Sequence, residues 1–439
     1  MSIVTSIANQ RKLLLLALPM ILSNITTPLL GLVDTAVIGH LEHAYYLGGI
    51  ALGSMIISIT FWLAGFLRMT TTGVLAQAFA NDDSSNELAW RLFFHSIFIA
   101  MALALSLLIL QQPLIEGALW LAGASSQVSH YAGVYFDIRI YSAPAALINM
   151  VLLGFFVARQ QVRWVVYQLF TINVINIALD LFFVVGLEWG VAGAALASVI
   201  ADYCGLVLLC WIISPTIKQL AWRRLVQVQP ALIKRLVGLN RDIFIRSLAL
   251  QLCLAAVTVT GAKLGDVTIA ANAILLNMFM FASYGLDGFA YAAESLVGEA
   301  KGKKDSQRLQ QVVFSCAVFC GAIGGCFALG LWLWGELWIN FMTTIEPVQQ
   351  ATLQYLPWMI AICAIAWLSF LMDGVFIGLT NGKAMRNTMI IAAAVFFVVL
   401  FLSQSVSPSL NNHGLWLAFF CFMLTRGVSL SWCYREINH

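Results

Sequence analysis

Twelve apolar runs divide this sequence, and they constrain its fold more than any motif does. They lie near residues 14–39, 46–76, 92–111, 132–158, 164–186, 190–213, 244–264, 268–298, 310–336, 353–379, 388–405 and 413–433. A helix needs roughly 20 predominantly apolar residues to cross about 30 Å of hydrocarbon. Several runs are longer than that, which predicts tilted or bent helices. Of the 439 residues, 61% are hydrophobic and 10% are charged. Soluble domains are about half apolar and about a quarter charged. The pattern therefore predicts an all-α integral membrane protein with twelve transmembrane helices.

The basic residues set an orientation. With the N-terminus placed in the cytoplasm, 18 of the 23 Lys and Arg fall in inside segments, and only Lys263 falls outside, at a span edge. Arg68, Arg139, Arg246 and Arg426 lie within or at the ends of spans. This asymmetry is what the positive-inside rule describes, and it predicts that both termini are cytoplasmic. Arg11 and Lys12 precede the first apolar run as in a signal peptide. That run continues past Pro28, so it reads as a retained first span.

The longest inside connection is basic and partly amphipathic, and it splits the spans six and six. The expected organisation is an N-lobe over 1–213, a cytoplasmic linker over 214–243 and a C-lobe over 244–439. The halves are weakly repeated: Gln77 matches Glu299, Gly154 matches Gly374 and Gly190 matches Gly414, at offsets of 222, 220 and 224 residues. An even number of spans per repeat gives both copies the same orientation. Two six-helix bundles related by a pseudo-two-fold axis along the membrane normal, with a central cleft, are then expected.

The first span carries the least expected chemistry. Asp34 lies near its outer end, and an ionisable group inside a span is costly and by default functional. Pro19 and Pro28 cannot donate to the helix ladder, which makes them candidate hinges. Asn24, Thr27, Gly31 and Asp34 recur at helical spacing and give the span one polar or small face. In the fifth span Asn173, Asn176 and Asp180 are spaced i, i+3, i+7 on one face, and in the sixth Ser198 and Asp202 are a turn apart. Counted from the outer ends at 1.5 Å per residue, Asp34, Asp180 and Ser198 all sit roughly 9–12 Å deep. Two carboxylates, an amide and a hydroxyl at one depth suit a hard cation such as Na⁺ or a proton on a carboxyl of raised affinity. The cluster is acid-poor for a fully ligated Na⁺, which favours H⁺. The competing reading is interhelical hydrogen bonding alone.

Other charges fall in the second half. Asp287 and Glu294 share a face of span eight, Asp373 is in span ten and Arg426 in span twelve. Arg426 paired with one of these acids is the simpler expectation, and a second ion or substrate site the sharper one. Arg139, with Asp137 and Tyr141, opens span four near its outer end as a candidate gate pair.

Several classes are disfavoured. No Walker A pattern is present, so ATP drive is not expected. The net charge of +3 gives no case for nucleic acid. No hydrolase constellation, metal-ligand spacing or cofactor motif stands out, so an enzyme is not expected, and the nine cysteines read as packing residues.

The runs LPMILSNITTPLLGLVDTAVIGHL (residues 18–41), FLRMTTTGVLAQAFA, NIALDLFF and DGFAYAAESLVGEA resemble the multidrug and toxic compound extrusion (MATE) family, in its DNA-damage-inducible protein F (DinF)-like branch, over essentially the whole chain. The resemblance implies a multi-pass antiporter of the bacterial inner membrane that exports small lipophilic or cationic compounds in exchange for H⁺ or Na⁺. It maps the family's cation site onto Asp34, Asn176, Asp180 and Ser198. In another branch an acid in the seventh span is implicated; the nearest polar residue here is Gln251. The rival readings are a Na⁺-coupled drug antiporter and a flippase for lipids or lipid-linked precursors. The flippase would favour a cationic lumen, whereas the basic residues here lie mostly in loops.

Overall fold

The computed structural model describes residues 10–24, 44–81, 86–220, 225–405 and 411–438. Asp34 and Pro28, with the rest of the outer half of the first span, lie outside the described residues. The described chain is helical throughout, with no strand among its residues. Helix α1 covers 10–24. It is followed by α2 (Ala44–Leu63), α3 (Phe66–Ala80), α4 (Glu87–Ile109), α5 (Gln111–Ala122), α6 (Ser126–Arg139), α7 (Ala143–Ala158), α8 (Val162–Asp180) and α9 (Gly190–Lys218). Then come α10 (Pro230–Lys263), α11 (Asp266–Gly302), α12 (Ser306–Met342), α13 (Glu346–Gly378), α14 (Gly382–Ser405) and α15 (Asn411–Asn438). Eleven spans among the described residues are long and apolar enough to cross a membrane.

The spans are less regular than the apolar runs suggest. The second is two helices, α2 and α3, joined through Ala64 and Gly65. The fourth starts earlier than expected, at Ser126, and is broken by a 3₁₀ turn at Ile140–Ser142 between α6 and α7. Its start is capped by Ser125, whose hydroxyl accepts from the Val128 N–H, a group that otherwise has no intrahelical partner. A twelve-residue helix, α5, lies between the third and fourth spans and is too short to cross a bilayer. The seventh begins at Pro230 rather than near 244, because proline is well placed in a first helical turn. Helix α1 continues through Pro19.

The contacts define two compact units, 22–238 and a unit formed by 239–439 together with the chain up to residue 21. In the second of these, residues 253–423 supply a large buried apolar core that includes Trp416, Phe419, Phe422 and Phe396. Polar groups lock it internally. Asn272 and Asn412 exchange amide hydrogen bonds of 2.9 and 2.7 Å, and the Trp416 indole N–H donates to Asn272 Oδ1 at 3.0 Å. At the other end of α11, Glu299 accepts Lys12 of α1 at 3.1 Å, Lys303 at 2.8 Å and Arg308 at 3.2 Å.

The sequence repeat has a physical counterpart in each unit. In the unit of 22–238, a Cβ at Gly154 of α7 would lie 2.7 Å from the Arg68 carbonyl oxygen of α3. In the other, a Cβ at Gly374 of α13 would lie 2.5 Å from the Ala290 carbonyl oxygen of α11. Both crossings bring helix backbones into direct contact, and only glycine permits this, as in small-residue helix interfaces. The same helix-on-helix joint is thus built twice, from positions about 220 residues apart.

Candidate functional site

The chemistry of the unit 22–238 gathers on α8 and its antiparallel neighbour α9. The inward face of α8 buries Val162, Val165, Gln168, Asn176 and Asp180. Helix α9, which buries Ala197, Ala201 and Gly205 along its length, meets it at Ser198 and Gly205. A Cβ at Gly205 would sit 2.6 Å from the Ile172 side chain and 3.4 Å from Gln168 Cγ.

Within this seam the Asn176 amide donates to Ser198 Oγ at 3.2 Å. Asp180, one turn further along α8, is 2% exposed, as is Asn176. The Asn176 carbonyl oxygen is buried with no hydrogen-bond donor among the described residues. Three of the four residues expected in the cation site are thus brought into one buried seam, and the fourth, Asp34, lies outside the described residues. Asn173 is half-buried on the same helix.

Directly after Asp180 the helix changes its bonding. Leu181–Gly186 form a π turn, in which the Leu187 N–H reaches back five residues to the Phe182 carbonyl at 2.9 Å. π segments inside α-helices concentrate at functional sites. This one is stabilised by packing: Phe183 stacks on Trp189 at 5.1 Å, and Val184 joins a small core with Ile50, Tyr135 and Val191. It lets the chain turn into α9 only a few residues beyond the acid.

The secondary candidates separate. Arg139 pairs with Asp202 of α9 at 2.7 Å rather than with Asp137 or Tyr141. It also donates to Ser142, and it lies 5.6 Å from the centroid of the Phe61 ring. Asp137 and Tyr141 are exposed, and the Tyr141 carbonyl accepts from Tyr203 at 3.0 Å. The Arg139–Asp202 pair ties α6 to α9. Pro19 sits half-buried within α1.

In the unit containing 239–439, Arg426 and Arg246 both donate to the same oxygen, Oδ2, of Asp373. All three residues are buried, and Arg426 lies 5.4 Å from the Phe370 ring centroid. Asp287, half-buried on α11, lies within electrostatic reach of Arg426. Arg246 did not stand out in the sequence as a site residue, because it begins an apolar run and reads as a flanking charge. Helix α10 starts sixteen residues earlier, at Pro230, and that carries Arg246 into the interior. The available signal was a second intramembrane cation in a half whose spans also carry Asp287, Glu294 and Asp373, since charges inside a membrane pair with one another.

Among the described residues no cluster of three or more His, Cys, Asp or Glu could hold a metal ion. Long apolar helices in two compact units, with ionisable groups buried inside each, define a multi-pass membrane protein of the transporter type. The chain belongs to the MatE family: the family model matches residues 19–182 and 243–402, one segment on each side of the basic connection. It is 41% identical over 430 residues to DNA damage-inducible protein F of Escherichia coli (strain K12), covering 96% of this chain and 91% of that protein. Protein DETOXIFICATION 44, chloroplastic, of Arabidopsis thaliana is 23% identical, covering 95% and 80%. Multidrug export protein MepA of Staphylococcus aureus (strain N315) is 18% identical, covering 89% and 86%. Among solved structures, a multidrug resistance MATE family transporter of the MOP superfamily in its outward-facing conformation superimposes with a TM-score of 0.88 at 17% identity, covering 98% of this chain and 96% of that one. A MATE structure in a bent conformation gives 0.87 at 16% identity, covering 98% and 95%.

Proposed function

We propose that the protein is a proton-coupled antiporter of the bacterial inner membrane that exports small lipophilic or cationic compounds by alternating access, with both termini in the cytoplasm. The observation that carries this reading is the placement of Asp180 in the buried α8–α9 seam, one turn from the Asn176–Ser198 hydrogen bond. Neighbouring amide and hydroxyl groups can serve the carboxyl in either protonation state. Asp34, expected at the same depth, would titrate with Asp180 as a coupled pair. Protonation neutralises the first span, which re-angles near Pro19 and Pro28, and the N-terminal cavity then expels substrate outward.

Three further observations support this choice. In the other unit Asp373 already faces two guanidiniums, and two positive charges beside a carboxylate repel a third cation. Coupling therefore falls to the N-terminal half. The name of the S. aureus relative, a multidrug export protein, also fits efflux. Large apolar side chains such as Trp120, Trp332 and Phe341 are exposed on the helices, as lipid-facing residues are.

The test is efflux from proteoliposomes under an imposed pH gradient and, separately, an imposed Na⁺ gradient. Drug movement driven by the pH gradient alone is expected. Movement driven only by Na⁺ would instead favour the sodium-coupled reading.

A further inference from the structure

Three buried amides form a ladder down one side of α9. On successive turns of that helix, Ser198 faces Asn176 of α8, the Asp202 carbonyl accepts the Asn149 amide of α7 at 3.0 Å, and Gly205 faces Gln168 of α8. The residues are 2%, 6% and 1% exposed. Among the described residues, Asn176 Oδ1, Asn149 Oδ1 and both polar atoms of Gln168 have no hydrogen-bond partner. Buried amides are almost always satisfied, by protein or by ordered water. One orphan could be an accident of packing, but three amides with unpartnered polar atoms against consecutive turns of α9 describe a place built for water.

The ladder also has a direction. Asp180 is one turn beyond Asn176, and Gln168 lies twelve residues before Asp180 on the same helix, about 18 Å along its axis. Gln168 is six residues, about 9 Å, from the Val162 end of α8, the end that the basic residues place in the cytoplasm. The α9 positions that the rungs face, 198, 202 and 205, are about 5–6 Å apart, one helical turn, a spacing on which single waters can bridge. Helix α7 carries no charged residue. Asp202 is already neutralised by Arg139, and the remaining charges of α8 and α9 besides Asp180 are Arg163 and Lys218, at the helix ends.

Resting on the proton-coupled reading, we infer that Asn176, Asn149 and Gln168 order a file of water that carries the proton from Asp180 to the cytoplasm. The carboxyl O–H of Asp180 breaks and its electron pair stays on the carboxylate. The proton passes from water to water by exchange of O–H bonds and leaves as hydronium at the α8 entrance, so nothing is oxidised or reduced. Gln168 never holds the proton. It is a positioning residue at the inner mouth of the file.

The experiment uses the full-length protein in proteoliposomes with a trapped pH-sensitive dye and a fluorescent cationic drug. Gln168→Leu fills the same space and removes the orphaned polar atoms, so the fold and its melting temperature are retained; Gln168→Met carries the test if leucine is not accommodated. Substrate-linked proton movement is expected to slow at least about ten-fold, while drug–drug exchange at equal pH, which needs no proton release, stays within about two-fold of wild type. Gln168→Glu, which keeps a hydrogen-bonding head group, is expected to restore the rate. Wild-type proton flux in Gln168→Leu would overturn the water file and leave the coupling reading intact. A wild-type protein that moves drug with no linked proton would overturn both.

Discussion

The Asn176 side chain donates to Ser198 Oγ across the α8–α9 seam at 3.2 Å, and this bond fixes which way the amide oxygen points. That oxygen is buried and has no donor among the described residues, so it is available to a proton-bearing group. Ser198→Ala removes the bond and frees the amide to rotate. A net hydrogen bond of this kind is worth about 0.5–1.5 kcal/mol, so the melting temperature should fall only slightly. Efflux under a pH gradient is expected to fall about ten-fold. Ser198→Thr keeps the hydroxyl and should stay near wild type in the same vesicle assay.

The paired glycine crossings give a stability prediction. A methyl group at residue 374 would meet the Ala290 backbone oxygen at 2.5 Å, and one at residue 154 the Arg68 oxygen at 2.7 Å. Neither obstacle is a flexible side chain that can move aside, so whole helices must shift. Overpacking of this kind costs about 1–3 kcal/mol. Gly374→Ala and Gly154→Ala should each lower the melting temperature in detergent, whereas Gly325→Ala, where a Cβ meets nothing within 4 Å, should leave it unchanged.

These two glycines also show how far the sequence could be read. Their 220-residue offset was visible in the chain, and so was the repeat it implies, because a close helix crossing demands glycine at a fixed place and leaves a mark in the sequence. The shared depth of Asp180 and Ser198 was legible for a similar reason, since helix rise alone sets it, and Asn176 came with Asp180 as a neighbour on the same helix face. The π turn after Asp180 was not, since nothing in LFFVVG distinguishes it from one more turn of α-helix. Gln168 and Asn149 carry no signal in the sequence, because a lone amide in an apolar run reads as an interhelical contact, and only the fold shows that its polar atoms find no partner among the described residues. Arg246 reads as a flanking charge because the apolar run begins beside it, whereas its helix begins at Pro230. Asp34, the residue that drew most attention in the sequence, lies outside the described residues.

The Asp373 cluster gives a third prediction. Two buried guanidiniums share this carboxylate, and removing one partner from a buried ion pair costs about 3–5 kcal/mol because the remaining charge is left uncompensated. Asp373→Asn should therefore destabilise the protein strongly in a thermal unfolding assay. Restoring the balance with Asp373→Asn and Arg246→Met together should recover much of the loss. If Asp373 were instead a cation-coupling residue, the single variant would melt like wild type and lose only ion-dependent transport.

The coupling scheme itself is tested most directly by the protons released or taken up on substrate addition to detergent-solubilised protein, comparing wild type with Asp180→Asn and Asp34→Asn. The account predicts a substrate-linked proton change in wild type that disappears in both variants, with folded protein and retained drug binding. Either variant exchanging protons for drug as the wild type does would contradict it.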